Sequence, residues 1–241
     1  MKISEVSQIP EYKRLDIKDV IQGDTPGNII GLGFDSIVYS VGDKVRKFAI
    51  GQPGEHTRKA IRGLTQYLKI IKRVPSNTAF PKIDFANSGI KRIGNERVYV
   101  VEMEKLNEIS DMESTFISFL SSAVKIDDMT TPSKPWQTVE DVLNGNAPEL
   151  GDFYAWKAAQ RFWQLLTPDQ KKMWKNVYET MTGLKLEAIK NELDLDLHGG
   201  NFMKRGNGEI VITDPFVKDR GPRSRLRPDN LVKYQQFRQQ Q

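Results

Sequence analysis

Short β-branched runs dominate this chain before about residue 105 and helical spacing dominates after it, and that division limits the folds open to it. From Asn28 to Ile50 the runs NIIGLG, SIVYSV and KVRKFAI are short and β-branched, with turn residues at Gly31, Gly33 and Gly42-Asp43 between them. That pattern predicts three antiparallel strands. After Gly54, the apolar residues Ile61, Leu64, Leu68 and Ile71 recur at three- and four-residue steps, which predicts an amphipathic helix ending before Pro75. FPKIDFA and RVYVVEM supply two more strands, so residues 28 to 104 read as five strands with one helix.

Beyond that point the apolar spacing is helical. A helix is expected from Ser110 to Lys125, then a Pro- and Gly-punctuated stretch, TTPSKPWQTVEDVLNGNAPELGD, reads as a loop or insertion of unassigned role. The next helix carries Trp156, Ala159, Trp163 and Leu166 on one face. Another opens at Thr167-Pro168-Asp169-Gln170, where Thr167 can cap, Pro168 suits the first helical position and Gln170 completes a capping box. Its face of Met173, Val177, Met181, Leu184 and Ala188 continues to Lys190, and such periodic stripes belong to a core. Strands grouped first and helices grouped after define an α+β class.

Composition removes several functions. With no Cys and only His56 and His198, neither a disulfide framework nor a Cys- or His-based metal site is available. No apolar run approaches the roughly 20 residues of a membrane span, and the opening MKISEVSQIPEYKRLD lacks the apolar stretch of a signal peptide, so a cytoplasmic protein is expected. The net charge of +5 suits a polyanionic partner such as a nucleotide, and nucleic acid is compatible but not required. The first 27 residues are an irregular lead-in, and the basic, Gln-rich tail from Val217 to Gln241 is peripheral.

The chemistry-bearing segment is LDLDLHGGNFM, KRGNG, EIVITDPF. Asn207-Gly208 between two apolar runs signals a hairpin, which sets Asn201 just before one strand and Asp214 just after its partner. Asp196 lies five residues before Asn201. Kinase-type phosphoryl transfer needs a carboxylate for the substrate hydroxyl, and an amide oxygen with a second carboxylate for magnesium on the phosphates. Magnesium takes hard oxygen ligands and keeps several waters, so one Asn and one Asp suffice beside ATP.

The segment DLHGGN followed by ITDP is similar to the D-x-H-x-x-N loop and Asp metal motif of the protein-kinase-like superfamily, especially its aminoglycoside- and choline-kinase branch. Across GLGFDSIVYS, KVRKF and DLHGGNFM to ITDP the chain resembles the early serine/threonine protein kinases of short-tailed bacteriophages, which phosphorylate host proteins. The resemblance implies a bilobal fold with a lead-in over 1–27, a five-stranded, one-helix nucleotide lobe over 28–105 and a reduced, mainly helical lobe over 106–241. It implies ATP and Mg2+ as cofactors, Asp196 as catalytic base, and Asn201 and Asp214 as metal ligands. It also implies host proteins as substrates, transcription or RNA-processing machinery among them, and the host cytoplasm as location if the gene is a phage's.

In the same frame Gly31 and Gly33 form the glycine loop over the phosphates, Val38 packs on adenine and Lys47 pairs the α- and β-phosphates. Lys44 and Arg46 are the alternatives to Lys47, with Arg46 on the opposite face of the strand. Glu55 stands as the acidic partner of Lys47, although it falls at a helix start, and Gln66 sits nearer the usual spacing. The strand RVYVVEMEKL matches a hinge, with adenine bonded by backbone between Glu102 and Leu106, Glu104 included. His198 stands where many protein kinases carry a phosphate-contacting Lys, for phosphate contact or for bracing the loop, and Asp194 competes with Asp196 as the base. The Asp-Pro-Phe motif and the 27 residues after Asp214 predict no phosphorylation-controlled activation segment. Two other readings stay open: a small-molecule kinase, and a pseudokinase-like basic module that inhibits by occupancy and shows strong salt dependence. Oligomeric state is not legible.

Overall fold

The computed structural model describes residues 29–32, 36–49, 55–93, 96–124, 131–145 and 153–217. The predicted lead-in and the basic tail beyond Val217 lie outside them, as does Gly33. The chain divides into two compact units, residues 1–62 with 81–105, and residues 63–80 with 106–241.

The first unit is an antiparallel sheet in the order β1-β2-β3-β5-β4, from β1 (Ile29–Leu32), β2 (Ser36–Val41), β3 (Lys44–Ala49), β4 (Ile83–Ile93) and β5 (Glu96–Glu104). Gly42, with φ +61°, makes the turn between β2 and β3, a conformation that a Cβ disfavours. β4 runs well past the FPKIDFA segment seen in the sequence because it bulges between Asp84 and Gly89. There Asp84 accepts the backbone N–H groups of Ala86 and Asn87, so the bulge is closed by a local side chain. Tyr39, Phe48 and Val100 are buried, as are Val45, Val101 and Met103. Register assigns these two sets to opposite faces, so both faces of the sheet are covered.

Helix α1 (Glu55–Arg73) is where the periodicity placed it, and its residues from Gly63 onward belong to the second unit. That unit contains α2 (Asp111–Val124), α3 (Trp136–Leu143), α4 (Phe153–Leu165) and α5 (Pro168–Asn191). The α5 start matches the sequence reading: Thr167 accepts the Gln170 N–H while Gln170 accepts the Thr167 N–H, and Pro168 opens the helix. Phe116 of α2 meets Trp174 of α5 edge-on, with centroids 5.0 Å apart, and stacks on Trp163 of α4.

The segment read as a loop or insertion is corrected by α3, whose Val139, Val142 and Leu143 are fully buried. Aromatic and amide side chains hold it from its partners: Trp156 and Gln160 donate to the Val142 carbonyl, Trp163 donates to Asn144, and Tyr178 to the Lys134 carbonyl. Eight residues are too few to show a stable period, and the flanking Pro and Gly dominated the local signal.

The segment read as chemistry-bearing lies on two small antiparallel sheets. β8 (Phe202–Lys204) and β9 (Ile210–Ile212) form the expected hairpin, with Gly208 at φ +88° in its turn, and β6 (Asn107–Glu108) adds a third strand on β8. β7 (Asp194–Leu195) pairs with β10 (Phe216–Val217). These two-residue strands carry no readable pattern of their own.

Candidate active site

Two backbone hydrogen bonds gather the polar centre within the second unit. The β7–β10 register sets Leu195 opposite Phe216, and one step further the Asp196 N–H donates to the Pro215 carbonyl at 2.9 Å. From the other side, the β8–β9 register sets Phe202 opposite Ile212, and the Thr213 N–H donates to the Asn201 carbonyl at 2.9 Å. Asp214 therefore sits between a residue tied to Asn201 and a residue tied to Asp196.

The side chains then order the loop. Asn201 Nδ2 donates to the Asp196 carbonyl at 2.6 Å, which commits the nitrogen of the amide inward and leaves Oδ1 as the end able to meet a cation. His198 caps the single 3-10 turn Gly199–Asn201 by accepting the Gly200 N–H on Nδ1 at 3.0 Å. The other ring nitrogen, Nε2, lies 3.4 Å from Asp196 Oδ2 and 3.3 Å from Asn201 Nδ2. Of the two roles read for His198, bracing the loop is the one these bonds supply. The His198 side chain is 61% exposed and that of Asp196 20%, so the carboxylate is the more enclosed member of the pair. Asp194 lies in β7 opposite Val217, and the bonds to Asn201 and His198 come from Asp196.

Asp214 also shapes its surroundings electrostatically. Tyr67 of α1 is buried, and its hydroxyl donates to the Ile212 carbonyl. Burial pushes that phenol well above its ordinary range, and the negative charge of Asp214 adds to the shift. The Tyr67 ring meets Phe80 and Phe216 edge-on, so through its hydroxyl on Ile212 and its ring on Phe216 it touches the chain on both sides of Asp214.

Among the described residues no group of three or more His, Cys, Asp and Glu side chains is gathered to hold a metal alone. The Asn201 amide oxygen and the Asp214 carboxylate fit a magnesium ion that draws its other ligands from phosphate and water. Both are hard oxygen donors, and the hairpin fixes their spacing through main-chain bonds.

In the first unit the register forms a single row across four strands: Gly31 opposite Val38, Val38 opposite Lys47, and Lys47 opposite Val101. Three residues singled out in the sequence thus share one face of the sheet. Lys44 and Arg46 point to the other face. There Lys44 pairs with Asp84 at 2.8 Å and with Glu102 at 2.9 Å, and Arg46 pairs with Glu102 at 2.8 Å. The Glu102 side chain is buried in this network, which the sequence did not reveal because its members are drawn from β3, β4 and β5.

Several amides of the segment read as a hinge have partners. The Glu102 N–H donates to Ser88 Oγ, the Glu104 N–H to the Lys82 carbonyl and the Lys105 N–H to the Asp43 carbonyl. Glu55 is the first residue of α1, and its side chain lies outside the described residues. Gln66 donates to Glu187 of α5 at 3.2 Å.

No protein-family profile matches the chain, and no curated protein matches it. Among solved structures, one described as the streptomycin-ATP-APH(2")-IIa ternary complex matches at 14% identity, covering 93% of this chain and 74% of that one, with a TM-score of 0.29. A likeness at that score carries no weight for fold or function. Among the described residues no helix is long and apolar enough to cross a membrane.

Proposed function

We propose that this chain is an ATP- and magnesium-dependent phosphotransferase of protein-kinase-like architecture that transfers the γ-phosphoryl group to a hydroxyl. The observation that carries the reading is the bracketing of Asp214 by main-chain bonds from the Thr213 N–H to the Asn201 carbonyl and from the Asp196 N–H to the Pro215 carbonyl. Spacing alone suggested that convergence, and the bonds supply a physical reason for it. In this reading Asp196 accepts the proton of the acceptor hydroxyl and aims it in line, while the His198 ring, with Nε2 3.4 Å from Asp196 Oδ2, steadies the carboxylate. Asn201 and Asp214 hold magnesium, which when bound offsets charge on the phosphate oxygens. The row of Gly31, Val38 and Lys47 supports a nucleotide-binding face: a glycine for close approach of phosphate, an apolar side chain for the base and a cation for phosphate oxygens. Lys47 shares its face with Gly31 and Val38, whereas Lys44 and Arg46 lie on the opposite one, and that placement favours Lys47 for the role. With the amides of Glu102, Glu104 and Lys105 engaged, Leu106 is the backbone position proposed to meet adenine.

The acceptor in the leading form of this proposal is a Ser or Thr hydroxyl of a protein. A small-molecule hydroxyl is the second form, supported by the D-x-H-x-x-N loop in which His198, not a Lys, follows the base. Incubation with labelled ATP, magnesium and a bacterial lysate, beside Asp196→Asn and Asp214→Ala variants, tests both. Label on protein in the wild type alone supports the leading form, and label on metabolites alone supports the second. Turnover that survives Asp214→Ala rejects the site assignment.

A further inference from the structure

Helix α2 carries a seryl side chain that behaves unlike its neighbours. Thr115 donates to the Asp111 carbonyl, Ser118 to Ser114 and Ser122 to Ser118, each bonding back one turn within the helix as helical hydroxyls ordinarily do. Ser121 instead donates outward, to the carbonyl of Leu197 at 2.7 Å, across 76 residues of sequence. Both partners are buried, Ser121 at 6% exposure and Leu197 at 1%. Leu197 is the residue between Asp196 and His198, so this bond grips the peptide that joins them.

A second contact on the same helix face points the same way. Ser114, Ile117 and Ser121 recur at three- and four-residue steps and so share one stripe of α2. Two turns before Ser121, Ser114 lies so close to the loop that a Cβ on Gly199 would stand 2.1 Å from Ser114 Oγ and 3.1 Å from Ser114 Cβ. At the start of α2, Glu113 pairs with Lys204 of β8 at 3.0 Å, next to the strand that follows Asn201. The helix face thus meets the loop from Leu197 to Lys204 at three successive points.

We propose that Ser121 is a positioning residue for phosphoryl transfer, holding the Leu197 carbonyl so that the Asp196 carboxylate and the Asn201 amide keep their relative placement. This rests on the phosphotransferase reading above. The physical reason is that Asn201 Nδ2 is tied to the Asp196 carbonyl, and His198 to the Asp196 carboxylate, so rotation of the next peptide moves all three groups together. A hydroxyl from a rigid helix fixes that peptide more firmly than a bond within the loop.

The test compares Ser121→Ala, Ser121→Thr and Ser118→Ala, the last altering an exposed hydroxyl bonded only within the helix. For Ser121→Ala the expected result is a fall in kcat of about 10- to 100-fold with KM for ATP within about threefold of wild type, after correction for folded fraction. Ser121→Thr, which keeps the hydroxyl, recovers most of the rate, and Ser118→Ala matches wild type. Amide hydrogen exchange provides a readout apart from turnover: the Asn201 N–H, bonded to the His198 carbonyl, exchanges faster in Ser121→Ala than in Ser118→Ala. Wild-type kcat in Ser121→Ala, a loss explained by unfolding alone, or a Thr variant as slow as the Ala variant overturns the proposal. If the wild type transfers no phosphate to any acceptor, the phosphotransferase reading fails and the positioning role with it. Faster exchange in Ser121→Ala then marks the bond as structural only.

Discussion

Gly199 shows how one missing methyl sets the geometry of the loop. It lies between His198 and Gly200 in the 3-10 turn, and Ser114 of α2 occupies the space a side chain would need. Gly199→Ala is therefore expected to displace α2 or the loop, at a cost of about 1–3 kcal/mol in stability, with loss of phosphoryl transfer. Adding Ser114→Gly removes the opposing Cβ and Oγ and should return part of both, as a double-mutant cycle by denaturant unfolding would show. A cycle without coupling energy contradicts the close approach. From sequence alone this glycine was one of two polar-loop glycines, because the atom that excludes a side chain lies 85 residues upstream. The five-residue interval from Asp196 to Asn201 was legible, since a short loop permits few ways to face two polar groups together. The contacts to Asn201 and His198 are made at Asp196, through its backbone carbonyl and its carboxylate respectively, and they support proposing Asp196 over Asp194 as the base.

Elements separate two kinds of prediction. On the Lys44 face of β3, pairing with Lys44 holds the Asp84 carboxyl down at about 2, from an ordinary 3.8, with bonds from Asn87 adding to the shift. Lys44 and then Arg46 also lower Glu102. A depressed carboxylate stabilises the fold above its unfolded-state pKa, so this contribution is complete above about pH 5 and is lost as pH falls toward 2. The same bonds raise Lys44, whose contribution is present below its unfolded-state value of 10.5 and lost as pH rises past it. Acid unfolding of Asp84→Asn should thus be flatter over pH 5 to 2 than that of wild type, and equal slopes would contradict the pairing. Because Lys44 is 40% exposed, salt weakens the effect. For α3, Leu143→Ala is expected to cost about 2–5 kcal/mol, because the side chain is fully buried among α4 and α5. A change under about 0.5 kcal/mol, measured by urea unfolding, would return that stretch to the status of a surface insertion. α5 was readable to its capping box, whereas α3 was not: the first carries a periodic apolar face from Met173 to Ala188, and the second is ordered chiefly by side chains from its neighbours.

At the scale of the whole molecule, the proposed function predicts linkage between ligand and stability. Magnesium and ATP together, at about 100 times their dissociation constant, should raise unfolding free energy by about 2.7 kcal/mol, observable as a rise in Tm. ATP with a chelator should give a smaller rise, and Lys47→Ala or Asp214→Ala should reduce the shift while leaving the ligand-free Tm near wild type. An unchanged Tm on adding both, in a protein shown to be folded, contradicts nucleotide binding. The amino-acid sequence by itself determined the α+β order of elements, the α1 and α5 helices and the hairpin between Asn201 and Asp214. Each of these follows from local spacing, capping or turn chemistry that acts within a few residues. Only the tertiary structure decided the Lys44–Glu102–Arg46 network, the buried α3, the β7–β10 pairing that brings Asp196 to Pro215, and the grip of Ser121 on Leu197. Those arise between segments far apart in the chain, where the partner that satisfies a buried polar group or fills a space has no signature in the local pattern.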